Sequence, residues 1–182
     1  MLQITIPARE QWDEKKQEFI ETEEYVLKLE HSLASLSKWE SKWCQPFLSK
    51  KGLTEEETLD YIKCMTLNEE DVPDNIYANI TSDLVYKISE YIEAPMTATW
   101  FSKENGGKKS NNEVVTAELI YYWMIALQIP FDCEHWHLNK LLTLVRICNI
   151  KNAPPKKRSK RDILSQNAAL NAARRKQLNT KG

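Results

Sequence analysis

The spacing of apolar residues changes after about residue 30 of this chain, and that change limits the folds open to it. Leu2, Ile4 and Ile6 alternate with polar residues before Pro7, and Tyr25, Leu27 and Leu29 alternate within 19–30. A period of two points every second side chain to the same face, so each stretch predicts a strand with one buried face. The polar residues around 13–17 join them, which predicts a small N-terminal β-hairpin or meander. Its outer face, with Glu21, Glu23, Glu24, Lys28 and Glu30, is expected to be solvated.

From residue 33 the period lengthens to three or four. Leu33, Leu36, Trp39 and Trp43 mark one side of a helix that ends before Pro46. Thr54 followed by Glu57 has the spacing of a capping box and predicts a helix through Leu59, Ile62 and Met65. Residues 68–74 hold four acids and a proline and read as a surface loop. Thr81 or Ser82 caps a helix with Leu84, Val85, Ile88 and Ile92 on one face, stopped by Pro95. Residues 96–101 favour a short third strand. Residues 102–112, with Gly106 and Gly107, read as an exposed turn, and Ser110 with Glu113 offers another capping box.

Residues 114–129 are apolar on nearly all sides, which predicts a helix buried at the domain centre and ended by Pro130. A further helix is expected at 134–149, with Leu138, Leu141, Leu142, Val145 and Cys148 on one side and Asn139, Thr143 and Arg146 on the other. Two helices joined by a few residues pack antiparallel. The expected fold is α+β and mainly α: an N-terminal β-hairpin packed on about five helices.

Charge divides the chain. Residues 151–182 carry ten Lys or Arg against Asp162 alone, whereas the first 150 carry 15 basic and 25 acidic groups, so a net charge of −1 conceals an acidic body and a basic tail. Asn152-Ala153-Pro154-Pro155 reads as a linker, because consecutive prolines lack amide donors and favour extended geometry. A helix is predicted at 159–178, with Ser159 and Asp162 at its start and Arg174, Arg175 and Lys176 at its end, matching the helix dipole. The expected organisation is a globular domain over 1–150 and a basic helical tail over 151–182.

Several function classes fall away. Only four glycines exist, too few for the glycine-rich loops that let backbone amides approach phosphate in Rossmann and P-loop sites. Cys44, Cys64, Cys133 and Cys148 lie far apart in helical or apolar stretches and predict free thiols rather than a disulfide framework. The first twelve residues lack the pattern of a signal peptide, so a reducing cytoplasm is expected. The longest apolar run, 119–127, is far short of the ~20 residues that cross a bilayer, so no membrane span is expected.

Cys133, His135 and His137, with Cys148 downstream, form the one cluster of soft metal ligands. Positions two apart on a helix lie about 200° around the axis, so both histidines reach one ion only from a turn or strand. The other reading makes the cysteines core residues and places the histidines at a helix start. A Cys133 or Cys148 nucleophile paired with His135 or His31 has no orienting third group in a recognisable motif. No cofactor, metal or catalysis is expected. Trp39 and Trp43 are either core or an exposed aromatic anchor.

The tail carries the functional signal. Its basic residues could neutralise phosphates in a sequence-blind manner, but it has no aromatic residue on which bases could stack. Small residues at 168, 169, 172 and 173 permit close helix approach, with Ile163, Leu164 and Leu170 as anchors. The expected partner-binding residues are Ile163, Leu164, Ala168, Leu170, Ala172, Arg174, Arg175 and Lys176. A merely solubilising extension is the remaining reading.

Four segments carry a family resemblance: EAPMTAT at 93–99, ELIYYWMIAL at 118–127 running on to IPF at 129–131, WHLNKLLTL at 136–144, and NAALNAARR at 167–175. They resemble proteins encoded by tailed bacteriophages of the long, non-contractile type, and the chain looks like a tail assembly chaperone of that group. The resemblance covers most of the chain, including the helix at 33–47. It implies association with the tape measure protein, recruitment of tail tube subunits, action in the host cytoplasm and absence from the finished virion, with no catalytic residues. Self-association is a further expected contact. A structural virion component, such as a connector or tail-completion protein, and a nucleic-acid-binding adaptor are the alternatives.

Overall fold

In the computed structural model the backbone is described for residues 1–13, 18–101, 114–154 and 160–179, and side chains are described among these except at 9–22, 160, 162 and 163. Strand β1 (Leu2–Ile6) pairs antiparallel with β4 (Tyr25–Leu29), placing Ile4 opposite Leu27. The alternation works as expected: Ile4, Ile6, Leu27 and Leu29 are buried while their neighbours face out. Between them β2 (Arg9–Asp13) and β3 (Glu18–Thr22) form a second two-stranded ladder. Sequence patterning assigned no strand to residues 9–13, which have no clean apolar alternation.

The outer edge of β4 is covered rather than left open. Leu67 N–H donates to the Lys28 carbonyl at 2.8 Å and Glu30 N–H donates to the Met65 carbonyl at 2.9 Å. The Asn68 side chain extends this ladder, accepting from Lys28 N–H and donating to the Val26 carbonyl, each at 3.0 Å. An exposed strand edge invites pairing with other chains, and these bonds remove that hazard.

Five α-helices follow among the described residues up to 154: α1 (Leu33–Trp43), α2 (Glu55–Met65), α3 (Ser82–Glu93), α4 (Ala117–Ala126) and α5 (Leu138–Asn152). The fold is α+β and mainly α. Helix α2 starts with the expected capping box: Thr54 Oγ1 accepts from Glu57 N–H at 3.2 Å and Glu57 Oε2 accepts from Thr54 N–H at 2.8 Å. Lys50 Nζ also reaches Glu57, and that contact together with the Thr54 amide holds the carboxyl below its ordinary range. Thr81 occupies the cap position of α3 without a side-chain cap bond.

Helix α1 stands between two cores. Trp39 belongs to a cluster with Ile6, Leu27, Tyr61, Ile76 and Ile88, whereas Leu33 and Leu36 belong to one with Ile120, Met124, Leu138 and Leu141. Full burial of each such side chain contributes about 1.5–3 kcal/mol. Trp39 is therefore core, its indole N–H donating to the Glu57 carbonyl at 3.1 Å, while half-buried Trp43 stacks on it with ring centroids 5.9 Å apart.

Two sequence expectations are corrected. Residues 96–101 form no strand, and Met96 takes the left-handed conformation with φ of 47°, which breaks an extended run. Helix α4 is shorter than 114–129 and is not enclosed: Ala117, Ile120 and Met124 are buried, but Tyr122 and Ile125 are exposed. It does not run on to Pro130 either. Gln128 adopts φ of 55°, and the Ile129 and Gln128 amides return to the Met124 and Ile125 carbonyls at 2.8 and 3.1 Å. This is a left-handed helix cap built without glycine, with buried Ile129 closing over Met124.

The chain divides into two units, Met1–Asn149 and Ile150–Gly182. The second contains α6 (Lys160–Leu178). Ser159, Ser110 and Glu113, read as capping residues, lie outside the described residues, as does the exposed turn expected at 102–112. No helix among the described residues is long and apolar enough to cross a membrane.

Candidate partner-docking surfaces

The anchors predicted in the tail sit on a helix whose described side chains, Arg161 and 164–178, are all exposed. Leu164 is 69% exposed, Leu170 50% and Leu178 71%. A helix advances about 100° per residue, so these three leucines and Arg174 fall in a stripe about 120° wide. Ala168, Ala169, Ala172 and Ala173 lie on the other half with Lys176, and Arg175 lies beside Leu164. The expected docking residues are thus divided between a leucine face and an alanine face, which no single flat groove covers at once. Ile163 lies in the helix, but its side chain is outside the described residues.

A second surface went unrecognised in the sequence. Glu118, Tyr122 and Ile125 are spaced i, i+4 and i+7, and so share one stripe of α4. Tyr122 and Ile125 are 63% and 62% exposed, and Phe131, just past the end of α4, is 54% exposed. Apolar side chains gathered on one exposed helix face mark interaction sites more often than scattered ones do. The patch is held firmly from beneath. Glu40, buried in α1, accepts from Phe47 N–H at 2.9 Å through one oxygen and from Ala117 N–H at 2.6 Å through the other. The carboxylate thereby satisfies an orphan amide at the start of α4, where the helix dipole also favours negative charge. Thr116 Oγ1 accepts from Leu119 N–H at 3.4 Å, and Tyr121 donates its hydroxyl proton to Glu134 at 2.6 Å. Burial and then the Glu134 carboxylate push the Tyr121 hydroxyl pKa up, so it remains a neutral donor.

The soft-ligand cluster does not assemble. Cys133 and His137 are buried, whereas His135 is exposed beside Glu134. No group of three or more His, Cys, Asp or Glu side chains suited to a metal ion occurs among the described residues. What sequence spacing could not show is that His137 meets His31, with ring centroids 5.1 Å apart. His137 Nε2 donates to the Tyr91 carbonyl at 3.0 Å, so Nδ1 accepts from Asn139 N–H at 3.3 Å, which specifies a neutral ring. His31 Nδ1 shares a 2.6 Å hydrogen bond with the Tyr61 hydroxyl. Burial, then the neighbouring His137, lowers the His31 pKa to about 3. These side chains occupy the junction of the two cores, with Leu138 N–H donating to the His31 carbonyl at 2.7 Å.

A cleft of about 510 Å³ is lined by Lys42, Trp43, Asp60, Lys63, Asp74 and Tyr77. Glu56 lines it too, and four of its charges are already paired with one another. Asp60 accepts from Lys42 and from the Trp43 indole, the latter at 2.8 Å, while Lys63 joins Asp74 at 2.9 Å and lies 5.1 Å from the centre of the Tyr77 ring. Cys64 is pushed up to about 11, chiefly by burial and then by Asp60, so its thiolate is scarce at neutral pH.

Compared with known proteins, the chain matches no protein family, no curated protein and no solved structure. The surfaces themselves are therefore the ground on which its function is read.

Proposed function

We propose that this protein is a tail assembly chaperone of phages with long, non-contractile tails. It acts by protein contacts and without catalysis, binding the tape measure protein through α6 and recruiting tail tube subunits in the host cytoplasm. It then leaves before the virion is complete. The resemblance of residues 93–99, 118–131, 136–144 and 167–175 to that family motivates the reading. The observation that carries it is α6 itself: a helix of 19 residues whose described side chains are all exposed. In proteins most helical stability comes from packing an apolar face rather than from intrinsic propensity, and α6 has leucines available for such packing. The leucine stripe of α6 is suited to the groove of another helical protein, and Arg174, Arg175 and Lys176 add attraction for an acidic one.

Co-expression with the tape measure protein tests this reading. The expected result is a soluble complex that is lost in the full-length Leu164→Asp/Leu170→Asp variant. A tape measure protein that stays equally insoluble, with no complex recovered, rejects it. Mass spectrometry of purified particles separates the alternatives, since a connector or tail-completion protein stays in the virion and a chaperone does not.

A further inference from the structure

Each copy of the chain bears two incompletely covered helical surfaces of opposite character. Helix α4 is apolar on nearly all sides, yet only Ala117, Ile120 and Met124 of it are buried; Tyr122 and Ile125 form an exposed stripe, and exposed Phe131 lies by Tyr121, 6.2 Å between ring centroids. Over 114–136 the charged side chains are Glu118, Asp132 and Glu134, and that stretch holds no Lys or Arg. Helix α6 is the complement: exposed leucines at 164, 170 and 178 accompany five basic residues, Lys160, Arg161, Arg174, Arg175 and Lys176, against the single acid Asp162. One surface is apolar within an acidic stretch of chain, and the other is apolar with basic ends.

We infer that the outer face of α4 is the docking site for α6 of a second copy of this chain, and that two copies exchange these helices reciprocally. Charge complementarity selects the occupant. An apolar face on a stretch whose only charged side chains are Glu118, Asp132 and Glu134 favours a basic amphipathic helix, and every copy brings one such helix in a one-to-one ratio with the face it fits. Burial of Tyr122 and Ile125 beneath leucines supplies the affinity, with aromatic anchoring at the centre of the contact. Reciprocal exchange closes after two copies, because both α4 faces and both α6 helices are then used; a one-way exchange would continue into longer assemblies. This inference is independent of the tape measure reading, since it concerns the protein alone. Together they make the dimer a store in which α6 is covered until a client competes for it.

The test uses the full chain in three forms: unaltered, Ile125→Glu, and Arg174→Glu/Arg175→Glu/Lys176→Glu. The substituted side chains are exposed, and circular dichroism checks that each form keeps its helix content. Sedimentation at about 100 μM chain in about 50 mM salt is expected to show a dimer for the unaltered chain, weakening as salt is raised. Each variant is expected to lose at least about tenfold in association. Mixing the two variants is expected to recover part of the association, because the mixed pair forms one of the two α4–α6 contacts and each variant alone forms neither. An unaltered chain that is monomeric under these conditions overturns the inference, as does a dimer indifferent to both sets of substitutions. A mixture that associates no better than either variant alone overturns the pairing of these two surfaces.

Discussion

The rings of His31 and His137 meet edge to face, 5.1 Å between centroids, where the two hydrophobic cores of the first unit adjoin. Both imidazoles are held below their ordinary pKa by burial, His31 at about 3, so both are neutral in the fold near neutral pH. The unfolded chain binds protons at these rings near pH 6.5, while the folded chain does not bind one at His31 until about 3. Stability is therefore fully present above pH 6.5 and declines as the pH falls below it. His31 alone accounts for about 1.4 kcal/mol per pH unit, and His137 adds in the same direction. Urea unfolding between pH 7 and 4 is expected to show this slope, and a His31→Gln variant to flatten it. An equal slope in both would exclude His31 as its source.

Glu40 joins two elements distant in sequence, accepting from the amides of Phe47 and Ala117. Truncation to alanine leaves both donors in buried or partly buried surroundings without this acceptor, at a cost of about 1–3 kcal/mol for each fully buried one. Glu40→Ala is expected to lower stability by about 3 kcal/mol, and Glu40→Gln by less, because the amide keeps one acceptor oxygen. Calorimetric melting of the two variants provides the ranking; an unchanged melting temperature for Glu40→Ala would refute the tie between α1 and α4.

Gln128 closes α4 in the left-handed region, with φ of 55°. A side chain there costs about 1 kcal/mol that glycine avoids, and a β-branched one costs more. Gln128→Gly is expected to raise the melting temperature by a few degrees, and Gln128→Val to lower it. A destabilised glycine variant would show that the glutamine side chain contributes more than its backbone strain.

Three of the four free thiols separate by environment. Cys44 is exposed, Cys133 is buried, and burial raises the pKa of both Cys64 and Cys133. Because the thiolate is the reactive form, iodoacetamide at pH 7.5 is expected to alkylate Cys44 well before Cys64 or Cys133. Peptide mapping over time reads the order. Fast labelling of Cys64 in folded protein would contradict the raised pKa that its partial burial gives it.

Local signals were the legible ones. The alternation of Ile4 and Ile6 against Leu27 and Leu29, the period of Leu33, Leu36 and Trp39, and the reciprocal bonds of Thr54 and Glu57 each depend on residues close along the chain. Pattern and outcome agree there. The ladder of β2 escaped notice because residues 9–13 have no clean alternation, although their backbone pairs with 18–22.

For α4 the sequence determined helix and apolarity but not direction. A helix apolar on every side has no amphipathic face to say which part is covered, and only the packing of Leu36, Leu138 and Leu141 against Ile120 and Met124 decided that Tyr122 and Ile125 stay outside. Tertiary structure alone also brought His31 to His137 and Glu40 to Ala117, since such meetings depend on where whole helices dock. The basic helix α6 is the reverse case. Its propensity, its leucines and its charge are written locally, so sequence sufficed to place it, and folding left its described side chains exposed.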